Sequence, residues 1–206
     1  MLHLRSLLAN APVIQSPDMM RNTSNAAVQH LIWLRQSQPD APWCIVASGT
    51  PGSGKSTFLK LLQQRFAEEL KVDFIVASTD ELVEKYAREN NVSYDAAYRR
   101  LNFKALELQF KRDIGDAFAG GFNLIVDRTN LTPKARNKTL ARAPRNYFKL
   151  GLAFELPEDI RRARLETRKL QDGKSVPDDV LENMNKSYLA PSKSEGFDHV
   201  MTVITG

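Results

Sequence analysis

Hydrophobic and polar positions along this chain follow two rhythms. Short apolar runs rich in β-branched residues recur at WCIVAS (43–48), DFIVAS (73–78), NLIVD (123–127), YFKLGLAFE (147–155) and HVMTVI (199–204). Their length and composition predict five buried strands. Between them, apolar residues return every three or four positions, the spacing of helices with one buried face. KSTFLKLLQQRFAEEL (55–70) places Phe58, Leu61, Leu62 and Phe66 on such a face. DELVEKYAREN (80–90) predicts a further helix, and residues 93–121 predict one long helix ended by Gly120-Gly121. TPKARNKTLARA (132–143) opens with Thr132 as cap and Pro133 at the first helical position. PEDIRRARLETRKL (157–170) and PDDVLENMNKSY (177–188) complete the set. Upstream, SNAAVQHLIWLRQ (24–36) spaces Ala27, Leu31, Ile32 and Leu34 helically, with Ser24 as a possible N-cap, before QPDAP breaks it.

Strands alternating with helices predict an α/β fold: a parallel sheet of about five strands with helices on both faces. Residues 1–42 are expected to form an N-terminal helical arm and 43–206 the main domain. Ligands of such sheets bind at the carboxyl ends of the strands.

Composition narrows the setting. A chain of 206 residues is long enough for one domain with a full core. Its single cysteine, Cys44, lies in the first apolar run, which excludes an internal disulfide and fits a reducing, cytoplasmic compartment. No apolar run has the length to span a membrane. The first residues, MLHLRSLLANAPVIQ, are too broken and short in their apolar stretch for a signal peptide. The net charge of +5 favours a polyanionic partner over a neutral one, although a solvated basic surface gives the same count.

The chemistry concentrates after the first strand. Gly49, Thr50, Pro51, Gly52, Ser53, Gly54, Lys55 and Ser56 match G-x-x-x-x-G-K-[ST], with a strand before and a helix after, and Thr57 follows. The glycines let successive N–H groups turn inward as a nest for anionic oxygens, and the following helix points its positive end there. Lys55 would reach the β- and γ-phosphates and Ser56 would offer its hydroxyl to Mg²⁺. This is the phosphate loop of a P-loop NTPase, so ATP and Mg²⁺ are the expected cofactors. The third strand ends LIVDRTN, without the Asp-Glu pair of hydrolytic motors, and no N-K-x-D guanine reader occurs. Transfer to an acceptor is therefore expected over hydrolysis. Asp80, just past the second strand, is placed equally well to be a general base or, with Ser78 and Thr79, a helix cap. Arg161, Arg164 and Arg168 share one helical face ahead of a glycine-containing loop, the pattern of a basic lid over roughly 157–176.

At this point the residues resemble a family. GTPGSGKSTFLKLL is similar to the phosphate loop of the P-loop polynucleotide kinases, phage and animal. DRTNLTPKAR resembles the phage enzyme's Asp-Thr-Asn-Leu segment, and RLETRKL its lid arginines. VPDDVLENMNKSYLAPSKSEGFDHV is similar to the closing segment of the animal enzyme's kinase domain. The resemblance runs from about Ile45 to Val203 and omits the arm. It implies that Lys55 and Ser56 bind phosphate and metal, that Asp80 is the general base, and that Arg164 and Arg168 hold the triphosphate. It also implies that Arg128, Thr129 and Asn130 serve the acceptor side or order its loops. Asp127 would assist the metal or cap the strand end. The phage enzyme has an arginine before its catalytic aspartate and another three residues after it; here Thr79 and Val83 stand there. Lys85, Arg88, Arg99 and Arg100 are alternative phosphate contacts. No D-x-D-G-T phosphatase motif follows.

The expected function is ATP-dependent phosphorylation of a hydroxyl on nucleic acid, DNA or RNA, with the 5′-OH end first. The alternatives are the hydroxyl of 5-hydroxymethyluracil in phage DNA, a small metabolite or nucleotide sugar, and a nucleotide-binding module without catalysis.

Overall fold

A computed structural model describes residues 23–172 and 176–205. The N-terminal residues and the glycine-bearing end of the expected lid lie outside that range. Five parallel strands form the sheet: β1 (Trp43–Ser48), β2 (Ile75–Ser78), β3 (Leu124–Asp127), β4 (Phe148–Glu155) and β5 (His199–Ile204). Their order is β2-β3-β1-β4-β5, so the α/β expectation holds. The helices are α1 (Thr23–Gln36), α2 (Lys55–Leu70), α3 (Thr79–Glu89), α4 (Tyr94–Arg100), α5 (Phe103–Ala119), α6 (Pro133–Leu140), α7 (Glu158–Asp172) and α8 (Asp178–Ser187).

Side chains of a strand alternate between faces, and the core divides accordingly. Trp43, Ile45 and Ala47 of β1 join Ile125, Leu150, Leu152 and Phe154 on one face, covered by Phe58, Leu62 and Phe66 of α2. Val28, Leu31 and Ile32 of α1 are buried in this same cluster, so the described part of residues 1–42 packs into the main core. Cys44, Val46, Leu124 and Val126 point to the other face, under Phe110, Ile114 and Ala117 of α5. Burial pushes the Cys44 thiol up to about 12. A third, small cluster of Val83, Ala87, Ala97 and Leu106 joins α3, α4 and α5 into a helical unit beside the sheet.

Three sequence expectations need correction. The helix foreseen over 93–121 is two. Leu101 is extended and the Asn102 side chain accepts the N–H groups of Lys104 and Ala105, at 2.9 and 3.4 Å, so a local cap overrides the continuous apolar pattern. Ser24 lies inside α1 and does not cap it. On α2, Leu59 is buried where Leu61 was expected, with Leu61 partly covered. Thr132 and Pro133 open α6 as foreseen, Thr132 Oγ1 accepting from Ala135 N at 3.2 Å. No helix among the described residues is long and apolar enough to cross a membrane.

Candidate active site

The loop between β1 and α2 owes its shape to glycines in the left-handed region. Gly52 has φ 80° and Gly54 φ 82°. A Cβ on Gly54 would sit 2.8 Å from Thr205 Oγ1 and 3.1 Å from an Arg164 nitrogen; one on Gly52 would meet Leu165 at 3.0 Å. Other residues would therefore be strained in the turn and clash with what covers it. Gly49 N donates to the Thr129 carbonyl at 2.9 Å, tying the loop to the segment after β3. Pro51 occupies the turn, Ser53 is buried, and Thr57 faces outward from the first turn of α2.

Lys55 is buried, its ammonium donating to the carbonyls of Gly49 (2.8 Å) and Thr50 (3.1 Å), with Ser53 Oγ at 3.5 Å. Burial lowers its pKa to about 8; the Asp127 and Asp80 carboxylates oppose that shift and the Arg168 charge adds to it. One charge cluster thus contains Lys55, Asp80, Asp127 and Arg168. Ser56 Oγ donates to Asp127 Oδ2 at 2.9 Å, because β1 and β3 are neighbours. Burial raises Asp127 above the usual carboxylate range, while Ser56 and Lys55 pull it back.

Asp80 follows β2, whose Ser78 is in register with Asp127 of β3. The cap of α3 is Ser78, its hydroxyl accepting from Glu81 N at 3.3 Å. Asp80 is exposed, and its Oδ1 accepts from the Tyr94 hydroxyl at 3.2 Å. Burial, together with the neighbouring Asp80 charge, raises the Tyr94 phenol well above its ordinary value, so it remains a proton donor.

Helix α7 lies against the loop. Arg164 Nη1 donates to Thr205 Oγ1 at 3.3 Å, beside Gly54. Arg161, expected on the same functional face, is instead buried: it donates to Thr50 Oγ1 (3.1 Å) and to Asn185 Oδ1 of α8 (2.7 Å), and pairs with Glu158. It fastens the helix.

The acceptor-side residues separate. Arg128 pairs with Glu107 at 3.0 Å and stacks over Phe110, lining a groove of about 490 Å³ between α5 and α6. Thr129 meets the loop through its carbonyl. Asn130, at φ 44°, is buried and turns its amide to the Ala47 carbonyl at 2.8 Å, so it orders the loops. Val83 is buried in the small helical cluster and cannot face a ligand.

Three contributors had no sequence signal or only a faint one. Arg136 is fully buried and bonds both oxygens of Glu195 at 2.7 Å, the carbonyls of Asn130 and Leu189, and Ser48 Oγ. It stands within the DRTNLTPKAR segment, yet apart from Asn130 its partners are far along the chain. For Glu195, burial opposes the charge, and Arg136 with the Ser192 N–H outweighs it, holding the carboxyl below the usual range. Thr205 donates to the Ser53 carbonyl at 2.7 Å, and Tyr94 meets Asp80; neither sits in a motif.

The residues fit a nucleoside triphosphate and one hard cation. The loop supplies a glycine-shaped turn and a buried ammonium, and Ser56 with Asp127 forms a pair of oxygen donors. Among the described residues no group of three or more His, Cys, Asp or Glu is gathered for a metal. That suits Mg²⁺, which keeps waters and takes further ligands from phosphates.

Phosphate loop, parallel sheet and covering helix α7 together define a P-loop kinase, a phosphotransferase class that uses ATP. The model of the family described as AAA domain matches residues 44–191, and the chain belongs to that family. An L-seryl-tRNA(Sec) kinase from Methanococcus maripaludis is 27% identical over 157 residues, 75% of this chain and 55% of its own length. The chain thus spans about half of that curated relative. Among solved structures, Kti12 of Chaetomium thermophilum in complex with ADP-AlF3 superposes with a TM-score of 0.54 at 17% identity, covering 78% of this chain and 88% of that one. A chain of the Pnkp1/Rnl/Hen1 RNA repair complex gives 0.55 at 20%, covering 71% and 44%. These structures share the fold.

Proposed function

We propose that this protein is an ATP-dependent, Mg²⁺-assisted kinase that phosphorylates a hydroxyl on nucleic acid, with the 5′-OH end of a polynucleotide as its first acceptor. The observation that carries the reading is Asp80: an exposed carboxylate at the rim of the phosphate loop, relieved of helix capping by Ser78 and held by Tyr94. In this reading residues 43–206 form the catalytic domain, 1–42 an arm, and α7 the core of a lid.

The loop amides and Lys55 bind the phosphates, and Ser56 with Asp127 would hold Mg²⁺. When bound, Mg²⁺ neutralises phosphate charge and ATP supplies the phosphoryl group. Asp80 accepts the hydroxyl proton as the acceptor oxygen bonds to phosphorus and the bond to the bridging oxygen breaks. Tyr94 orients Asp80. Arg164 beside Gly54, and Arg168, whose charge is felt at Lys55, counter the charge of the transferring group.

The net charge of +5 supports a polyanionic acceptor. The archaeal seryl-tRNA kinase relative favours a second reading, in which the hydroxyl belongs to an amino acid carried on tRNA. One assay separates them: labelled ATP against 5′-OH oligonucleotides, seryl-tRNA, duplex containing 5-hydroxymethyluracil, and small sugars. We expect label on oligonucleotide ends, removable by an end-acting phosphatase, with strand binding that weakens steeply as salt rises. Label released with the seryl group would move the assignment to aminoacyl-tRNA. Transfer to a small sugar alone would reject a nucleic-acid acceptor.

A further inference from the structure

The helical unit beside the site carries aromatic rings that its packing does not use. Tyr94, whose hydroxyl donates to Asp80, stacks with Tyr98 at a centroid separation of 6.2 Å. Tyr98 meets Phe103 edge to face at 4.8 Å. The cluster that binds α3, α4 and α5 together consists of Val83, Ala87, Ala97 and Leu106, with Tyr94 and Leu101 against it; Tyr98 and Phe103 stand outside. They are 46% and 54% exposed. Large rings side by side at a surface signal an interaction site.

The charge beside them selects the partner. Arg99 and Arg100 follow Tyr98 and Lys104 follows Phe103, all exposed. Lys85 and Arg88 of α3 are paired with Glu89 and Glu84. Arg99 and Arg100 form no ion pair among the described residues. Flat rings interleaved with exposed guanidinium groups suit a chain of bases joined by phosphates, since every base offers a π-face and every linkage a charge. The row of rings runs from the candidate base through Tyr94 to the exposed Tyr98 and Phe103.

We propose that Tyr98 and Phe103 form a platform on which the unpaired bases next to the acceptor hydroxyl stack, with Arg99 and Arg100 holding the strand's phosphates. The inference rests on the nucleic-acid reading above and narrows it to single-stranded ends. Paired bases stack on one another and present only their edges and sugars to such a surface, so a blunt duplex engages it poorly.

The test is anisotropy of short, 3′-labelled, 5′-OH single strands of DNA and RNA binding to the full chain, alongside calorimetry of ATP. Changing both rings, Tyr98→Leu with Phe103→Leu, keeps apolar bulk and removes the π-faces. Strand affinity should fall by roughly tenfold to a hundredfold, the cost of lost base–aromatic stacking. ATP affinity and thermal unfolding should hold, and Tyr98→Trp should retain strand binding. A strand with abasic sites next to its 5′ end should bind the wild type as weakly as the intact strand binds the double variant, and needs no folded variant. Unchanged strand affinity in the double variant, with the wild type still binding and phosphorylating strands, would overturn the platform and leave the nucleic-acid reading standing. A wild type that binds no strand would remove both. Altered self-association in sedimentation, without altered strand affinity, would assign the rings to a second copy of the chain and overturn the proposal.

Discussion

Asp80 and Ser78 share one turn and divide its work, which makes them separable by substitution. Asp80→Asn should keep ATP affinity and melting temperature and lose turnover by about two to four orders of magnitude, the contribution of a positioned general base. Ser78→Ala should do the reverse, lowering stability by about 1 kcal/mol as a lost N-cap and leaving most of the turnover. Equal, mild effects of the two on turnover would assign Asp80 a structural role. Lys55 yields a pH prediction. In the proposed reading its ammonium holds the phosphates, and burial lowers its pKa to about 8. ATP affinity should be level below pH 8 and weaken above it, with binding taking up protons there, seen as buffer-dependent heats in calorimetry. The sign for stability follows from the same shift. A folded value below 10.5 means that the folded state disfavours the charge, so the ligand-free protein should gain stability as pH rises from about 8 toward 10.5. An affinity unchanged through that window would place the Lys55 pKa higher.

On the scale of elements, α7 combines two kinds of arginine that look alike in sequence. Arg161 is buried against Thr50 and Asn185, so Arg161→Ala should lower the melting temperature and loosen the helix over the loop. Arg164→Ala and Arg168→Ala should cost turnover with little change in melting, and lysine should restore little, for want of the planar fork. Full rescue by lysine would mean that a diffuse positive field suffices. Periodicity placed the three on one face and could not say what the face meets. The same limit explains the long helix expected over 93–121: apolar spacing continues across Leu101 and Asn102, and only the Asn102 cap, a competition within a few backbone groups, divides it. The phosphate loop was legible because every feature it needs lies in one run of eight residues. Thr205 was not, because its partner Ser53 is 152 positions away.

For the molecule as a whole, Arg136 is the point where distant segments meet: the end of β1, the turn after β3, and residues 189–195. Glu195→Gln would leave that guanidinium buried without its counter-ion. A loss of about 3 to 5 kcal/mol is expected, measurable by denaturant unfolding. A melting temperature equal to that of the wild type would show that the neighbouring carbonyls suffice. The consequence reaches into synthesis. The phosphate-loop sequence and Arg136 are both made before Glu195, which lies 59 positions after Arg136. A product stopped ahead of Ser192 would carry the nucleotide motif together with a cation that has no counter-charge. A chain cut there should therefore be at least as unstable as Glu195→Gln, although its nucleotide motif is intact.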